Sequence, residues 1–276
     1  MSANAHIRNT FSALGDSLQV AIVPAKLLLR ISLGRVVYAI QNETNGPLVF
    51  LGNYTLQHLN TYEQVAAQLE TIFEKDALLQ RSFVAVKSLW QTNFELLPRE
   101  FFHEHVTDQS KHFNWLKSTD AAVVFEVPVS IKALLEKQAG DVQQVHAAKI
   151  CIDGFYLFRK ENATQIFVQV STDTLEIVAF DNVGALLLYN SYEYRAVSDF
   201  IYFLVAAAQQ LQFDRVTTEV ILAGEVEKHS PVYEKCERYF GHVNLVNTNG
   251  YEVSSALLQL PMQRFFSFFQ LSICEL

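Results

Sequence analysis

The sequence predicts an α/β protein made of two related halves. Apolar, β-branched segments split by short turns alternate with helical patterns, and one such unit returns about half a chain later. Leu28–Asn42 reads LLRISLGRVVYAIQN, and Phe167–Asn182 reads FVQVSTDTLEIVAFDN. Allowing one extra residue in the second stretch, Ile31 meets Val170, Ser32 meets Ser171, Ala39 meets Ala179 and Asn42 meets Asn182. The repeat, about 135–139 residues, is far longer than the ~20–50 residues of a solenoid unit, so it marks a duplicated domain.

Each copy opens as strand, tight turn, strand. Gly46-Pro47 and Gly184 supply the next turns, and Leu48–Leu56 and Ala185–Tyr194 the third strands. A helix follows in both. In the first copy Thr61 and Gln64 form a capping box, and Val65, Leu69, Ile72 and Phe73 share one face. In the second copy the helix runs over about 196–211, with Ser198 or Asp199 near its start. Its middle, Phe200–Ala208, is apolar all round, which predicts burial between layers. Strands at Phe83–Val86 and Glu219–Ala223 complete a β-β-β-α-β plan in each half.

The remaining pieces fit around these units. Ala121–Val127 reads as a strand ending at Pro128, Ser130–Gln138 as a helix closing near Gly140, and Val142–His146 as a strand. Ala147–Lys160 is the connecting helix, although Gly154 costs it ~1 kcal/mol relative to Ala. Pro231–Phe240 is a helix, Val243–Val246 a strand, and Met262–Cys274 an aromatic-rich helix. Residues 87–120 give no clear pattern and read as a small accessory subdomain or a long loop. The domain division expected is 1–146 and 147–276.

Composition narrows the function classes. The chain has 276 residues, half of them hydrophobic, which is enough for a sizeable core. Its net charge of −8 and the lack of a basic stripe argue against nucleic acid. Cys151, Cys236 and Cys274 are far apart and show no metal spacing, as expected of reduced thiols in a cytoplasmic protein. Residues 1–20 lack the apolar run of a secretory leader, and no ~20-residue apolar span is present. The N-x-T triplets at Asn42, Asn53 and Asn162 are therefore read as chance.

A duplicated unit of three meandering strands, a helix and a further strand resembles the actin, sugar-kinase and heat-shock-chaperone group. The runs LLYNSYEYRAVSDFIYFL at Leu187–Leu204, ILAGEV at Ile221–Val226 and LSICEL at Leu271–Leu276 also make the chain similar to an uncharacterised bacterial family with an actin-like ATPase (ribonuclease H-like) fold. The resemblance implies mixed sheets in two halves with a cleft between them.

It also implies where a nucleotide would sit. Actin-like ATPases carry an Asp at the end of the first strand and a glycine turn in each half; the Asp organises Mg²⁺ and the turn's N–H groups approach the phosphates. Here the first copy reads Ser32-Leu33-Gly34 and the second Ser171-Thr172-Asp173. Both carboxylates have become hydroxyls, and Asp173 falls two residues too late. The adenosine-contacting small-Gly-Gly turn corresponds to Ala223-Gly224-Glu225, whose acidic third residue opposes phosphates. The expectation is a chain without cofactor or ATP hydrolysis that binds a protein. The alternative is a nucleotide-binding switch closing at the cleft.

Other candidates are weaker. No GxxxxGK[ST], GxGxxG or GxSxG occurs. His103, Glu104, His105, Asp108 and His112 cluster without HExxH spacing and read as a solvated segment, with a weak metal site as the sharper option. Glu225, Glu227, Lys228 and His229 read as a solvated loop. On the terminal helix Phe265, Phe268 and Phe269 form a stripe that suits a core helix or a homodimer surface.

Overall fold

The structure is a computed structural model that describes residues 24–42, 46–56, 59–105 and 110–275, without the side chains of 103–105 and 256. The first half runs β1 (Ala25–Ile31), β2 (Arg35–Asn42), β3 (Leu48–Thr55), α1 (Tyr62–Lys75) and β4 (Ala85–Trp90). It continues through β5 (Phe94–Pro98), α2 (Arg99–His105), β6 (Lys111–Trp115), β7 (Ala121–Glu126), α3 (Val129–Ala139) and β8 (Val142–His146). After α4 (Ala147–Tyr156) come β9 (Gln165–Val170), β10 (Thr174–Phe180), β11 (Leu186–Glu193), α5 (Val197–Gln210), β12 (Glu219–Gly224), α6 (Pro231–Tyr239), β13 (His242–Leu245) and α7 (Phe266–Ile273).

Two five-stranded sheets share one strand order, β3-β2-β1-β4-β8 and β11-β10-β9-β12-β13. In each, the first three strands form an antiparallel meander and the last two join parallel to the centre. The duplication is therefore real at the level of topology. Its register differs from the sequence expectation. Ser32 and Ser171 close hairpins of the same length, and the register shifts at Ile40/Gln41 and Ala179/Phe180 fall at matching places. Ala39, opposite Leu28, thus corresponds to Val178, opposite Phe167, and not to Ala179. The halves keep one spacing through the hairpin and change it beyond the bulge, first between the second and third strands and again before the helix and the fourth strand.

Several boundaries move for local reasons. The fourth strand begins at Ala85 and extends to Trp90, because Lys87 and Ser88, polar in sequence, are buried partners of β1 and β8. The illegible stretch is an insertion: β5, α2 and β6 join β7 in a three-stranded sheet of order β5-β7-β6. Helix α1 has the expected Thr61 cap, but the Gln64 side chain accepts from Asn60 N–H, one residue before it. Helix α5 is not buried all round, since Tyr202 is 68% exposed; its start is fixed by Asp199, which accepts from the N–H groups of Arg195 and Ala196.

The connecting helix α4 stops at Tyr156, and its glycine has a packing reason. A Cβ on Gly154 would lie 2.7 Å from Gln270 Cγ and 3.1 Å from the Phe266 ring, so glycine lets α4 and α7 cross closely. The tail is a 3₁₀ turn, Met262–Phe265, followed by the shorter helix α7. One continuous apolar core joins the halves: Phe155 stacks on Phe167 and on Phe266, with ring centroids 5.2 and 4.6 Å apart. Buried Lys87 donates to the Leu271 carbonyl at 3.2 Å and to that of Cys274, satisfying the end of α7.

Candidate functional site

The two hairpin turns approach each other at the strand ends, where the resemblance places the cleft, and side chains bridge them. The Ser32 turn is held by Ser32 N–H to the Arg35 carbonyl at 2.9 Å, and the Ser171 turn by Ser171 N–H to the Thr174 carbonyl at 2.8 Å. The same backbone meets different surroundings. Ser32, Leu33 and Gly34 are exposed, while Ser171 is buried and only Thr172 and Asp173 of its turn are exposed.

Side chains from each half reach across. Arg30, at the end of β1, donates to Ser171 Oγ at 2.7 Å and to Gln91 Oε1 at 3.1 Å. Arg35 forms an ion pair with Glu225, whose second carboxylate oxygen accepts from Thr172 Oγ1 at 2.8 Å. Arg35 also donates to Asn53 Oδ1 at 3.0 Å, which fixes the guanidinium on the first sheet. Gln91 donates from Nε2 to Thr174 Oγ1 at 3.1 Å.

These bridges obey the internal duplication. The central parallel strands pair so that Leu29 faces Ser88 and Val168 faces Leu222. Carried along the strands, Gln91 occupies the place of Glu225, and Arg35 that of Thr174. The contact Gln91–Thr174 is thus the counterpart of Glu225–Arg35, neutral on one side of the cleft and charged on the other.

Gly224 sets the position of Glu225. Its φ is +88°, and a Cβ there would meet the Val170 carbonyl oxygen at 2.1 Å. Glycine is needed both for the left-handed backbone and for this approach. The Glu225 N–H then bonds the Val170 carbonyl at 2.8 Å, which aims the carboxylate over the cleft. Behind the turns lies buried Glu176, which accepts from Tyr189 Oη at 2.5 Å. Burial pushes its carboxyl above the ordinary range, and hydrogen bonding by Tyr189 and the charge of Arg30 pull it back.

The residues present do not suit a hydrated Mg²⁺-nucleotide. Ser32 and Ser171 bring no charge, Ser171 Oγ is taken by Arg30, and Asp173 is an exposed turn residue whose carbonyl accepts from Tyr194 N–H at 2.9 Å. Among the described residues no group of three or more His, Cys, Asp or Glu could hold a metal ion. Of the histidine cluster, Asp108 and the side chains of His103, Glu104 and His105 lie outside the described residues. His112 packs beside Phe125 with ring centroids 5.8 Å apart, and burial lowers its pKa. Glu227 pairs with Arg264 at 3.6 Å.

Two of the three stripe residues are core: Phe268 and Phe269 are 4% and 2% exposed, and Phe269 stacks on Tyr251 at 4.4 Å, while Phe265 is half-buried. The cysteines are free, and burial pushes Cys236 up to about 12. Among the described residues no helix is long and apolar enough to cross a membrane.

Sequence reasoning placed Ser32, Gly34, Ser171, Asp173, Gly224 and Glu225 around one cleft, and the structure brings both turns and the Glu225 loop together there. It missed Arg30, Arg35, Gln91, Thr172 and Thr174. The available signal was two arginines set in apolar strands on either side of the SLG turn.

A family model of known sequences matches residues 21–243. The chain belongs to DUF3822, a protein family of unknown function. Among solved structures, a Bacteroides thetaiotaomicron VPI-5482 protein with an actin-like ATPase fold and unknown function is 21% identical, with a TM-score of 0.72 over 95% of this chain and 99% of that one. The PilM–PilN type IV pilus biogenesis complex contributes a chain 10% identical at TM-score 0.59, covering 90% and 97%. The ethanolamine utilization protein EutJ from Carboxydothermus hydrogenoformans is 10% identical at TM-score 0.50, covering 90% and 89%. No curated protein sequence matches. The fold is the actin-like ATPase fold, as the duplicated strand plan implied.

Proposed function

We propose that this chain is a non-catalytic, cytoplasmic actin-like protein that acts by binding another protein, its nucleotide cleft closed by its own side chains. The observation that carries this reading is Glu225. Its carboxylate stands over the cleft between Arg35 and Thr172, where an actin-like ATPase of this plan would bring phosphates. A triphosphate would meet a fixed anion and would have to break the ion pair, with no carboxylate at either strand end to hold its metal. The PilM–PilN complex is a precedent for this fold in a protein assembly.

The test is a melting curve with ATP and Mg²⁺, run beside a phosphate-release assay. A ligand that binds only the folded state adds ~2.7 kcal/mol at 100 times its Kd, so binding would raise the melting point visibly. The wild-type chain is expected to show neither a shift nor released phosphate at millimolar nucleotide. Either signal, abolished by the Arg30→Ala change, would favour the nucleotide switch. Purification from native cells is expected to yield a protein partner in fixed proportion.

A further inference from the structure

The two sheets end differently. In the first, the edge strand β3 is extended by the chain itself: Leu48 N–H bonds the Glu252 carbonyl at 3.0 Å, and Ser254 N–H bonds the Leu48 carbonyl at 2.9 Å, forming a parallel bridge from Leu48 to Val253. Its side chains are buried from Leu48 to Tyr54. The counterpart in the second sheet, β11, is only half-buried, and among the described residues no strand pairs with its outer edge.

The backbone shows which groups face outward. Tyr194 N–H points inward to the Asp173 carbonyl. Alternation along the strand therefore turns the N–H and C=O groups of Ser191 and Tyr189 away from β10. Consistent with this, the Ser191 N–H is taken up by its neighbour's side chain, Asn190 Oδ1, at 2.9 Å. The strand reads LLLYNSYE: no Lys, no Pro, and one charge, Glu193, at its end. A register shift leaves Leu187 unpaired with β10, but the strand is regular from Leu188 to Glu193. Uncharged, β-prone edges of this kind are normally blunted or covered.

We propose that β11 is a self-pairing edge, through which two copies of this chain join antiparallel about a twofold axis at Asn190. The outward groups of Tyr189 then meet those of Ser191 in the second copy, Leu188 lies opposite Tyr192, and the two Asn190 amides face each other. Antiparallel pairing suits the charge pattern, because it sends the two copies of Glu193 to opposite ends, each beside Leu187 of the other copy. Strand pairing alone falls short of the ~1,200–2,000 Å² of a specific interface. Helix α5 extends the surface: Phe203 stacks on Tyr192 at 4.4 Å, and Tyr202 beside it is 68% exposed. Two-fold pairing brings both α5 helices to the same side of the joined sheet.

Sedimentation velocity over a concentration series tests this on the full chain. The wild type is expected at twice the chain mass of 31.4 kDa. Leu187→Glu sets a second anion against Glu193 of the other copy and is expected to give monomer. Adding Glu193→Lys is expected to restore the dimer. Leu187 is 44% exposed and Glu193 is exposed, so neither change strains the fold, and unchanged circular dichroism and melting of the monomer check that. The two positions lie at opposite ends of one strand, so coupling between them arises only across the pair. Amide exchange at Tyr189 and Ser191 should slow as the dimer forms. A wild type that stays monomeric, a dimer indifferent to Leu187→Glu, or a failure of the charge swap to restore it would overturn the proposal.

Discussion

The cleft is built twice from one pattern, and its two sides carry different chemistry. On one side Glu225 holds charged Arg35; on the other Gln91, at the matching place, holds Thr174 through a neutral hydrogen bond. The residues just before them differ as well, Gly224 against Trp90. Equivalent backbone positions have thus been assigned to opposite physical tasks. Gly224 lets two backbones approach, whereas Trp90 fills the core and donates its Nε1–H to Ser88 Oγ at 2.9 Å and to Gln144 Oε1 at 2.6 Å. Duplication fixes where the chain runs, and the side chains then decide what each copy does.

The largest expected effect breaks this comparison at its sharpest point. Trp90→Ala should cost about 3–5 kcal/mol by leaving a cavity and removing two buried hydrogen bonds, although Ser88 Oγ and Gln144 Oε1 keep the bond between them. Gly224→Ala should also cost about 3 kcal/mol or more, through strain and clash. Gly34→Ala, where a Cβ meets nothing within 4 Å, should be close to neutral. Urea unfolding of the three variants checks the order; a mild Gly224→Ala would mean that the turn relaxes.

A second difference concerns acid. His146 ends β8, and the same place in the second sheet is Asn247, which is exposed. Nδ1 of His146 accepts from Ala148 N–H at 3.0 Å, so Nε2–H donates to the Thr92 carbonyl, also at 3.0 Å, and the ring is neutral. Burial lowers its pKa to about 4. Because the folded value lies below the unfolded one, near 6.5, the unfolded chain binds the proton more readily. Stability from this group is complete above pH ~6.5 and is lost as pH falls toward 4, about 3 kcal/mol in all. His146→Asn should remove that slope, and melting curves from pH 7 to about 4 measure it.

Much of the fold was legible because it is local. Hairpins announce themselves by β-branched runs around short polar turns, and the Thr61 cap by its spacing. The register of the repeat was not legible, since adjacent apolar positions such as Val178 and Ala179 carry little positional identity. The insertion from Phe94 to Trp115 alternates weakly, because its strands are only half-buried. Gly154 appeared as a helix fault until α7 lay against it. The turns of the cleft could be found by spacing, but their cross-connections could not: Arg30 and Ser171 are 141 residues apart, and Arg35 and Glu225 are 190 apart.

The smallest effect sharpens the comparison most directly. Arg35 and Glu225 are 34% and 26% exposed, so solvent screens their attraction, and a double-mutant cycle should give a coupling of only about 1 kcal/mol. The neutral Gln91–Thr174 cycle should give about 0.5 kcal/mol, near the low end for a hydrogen bond. Salt separates the two more cleanly than size does. The charged coupling should fade between low and high ionic strength, and the neutral one should hold constant. Glu225→Gln makes the two sides alike: it keeps a hydrogen-bond acceptor for Arg35 and should give its cycle the salt indifference of the other side. If the Arg35–Glu225 coupling ignored salt from the start, the pair would be acting through packing, and the charged side of the cleft would differ from the neutral one in name alone.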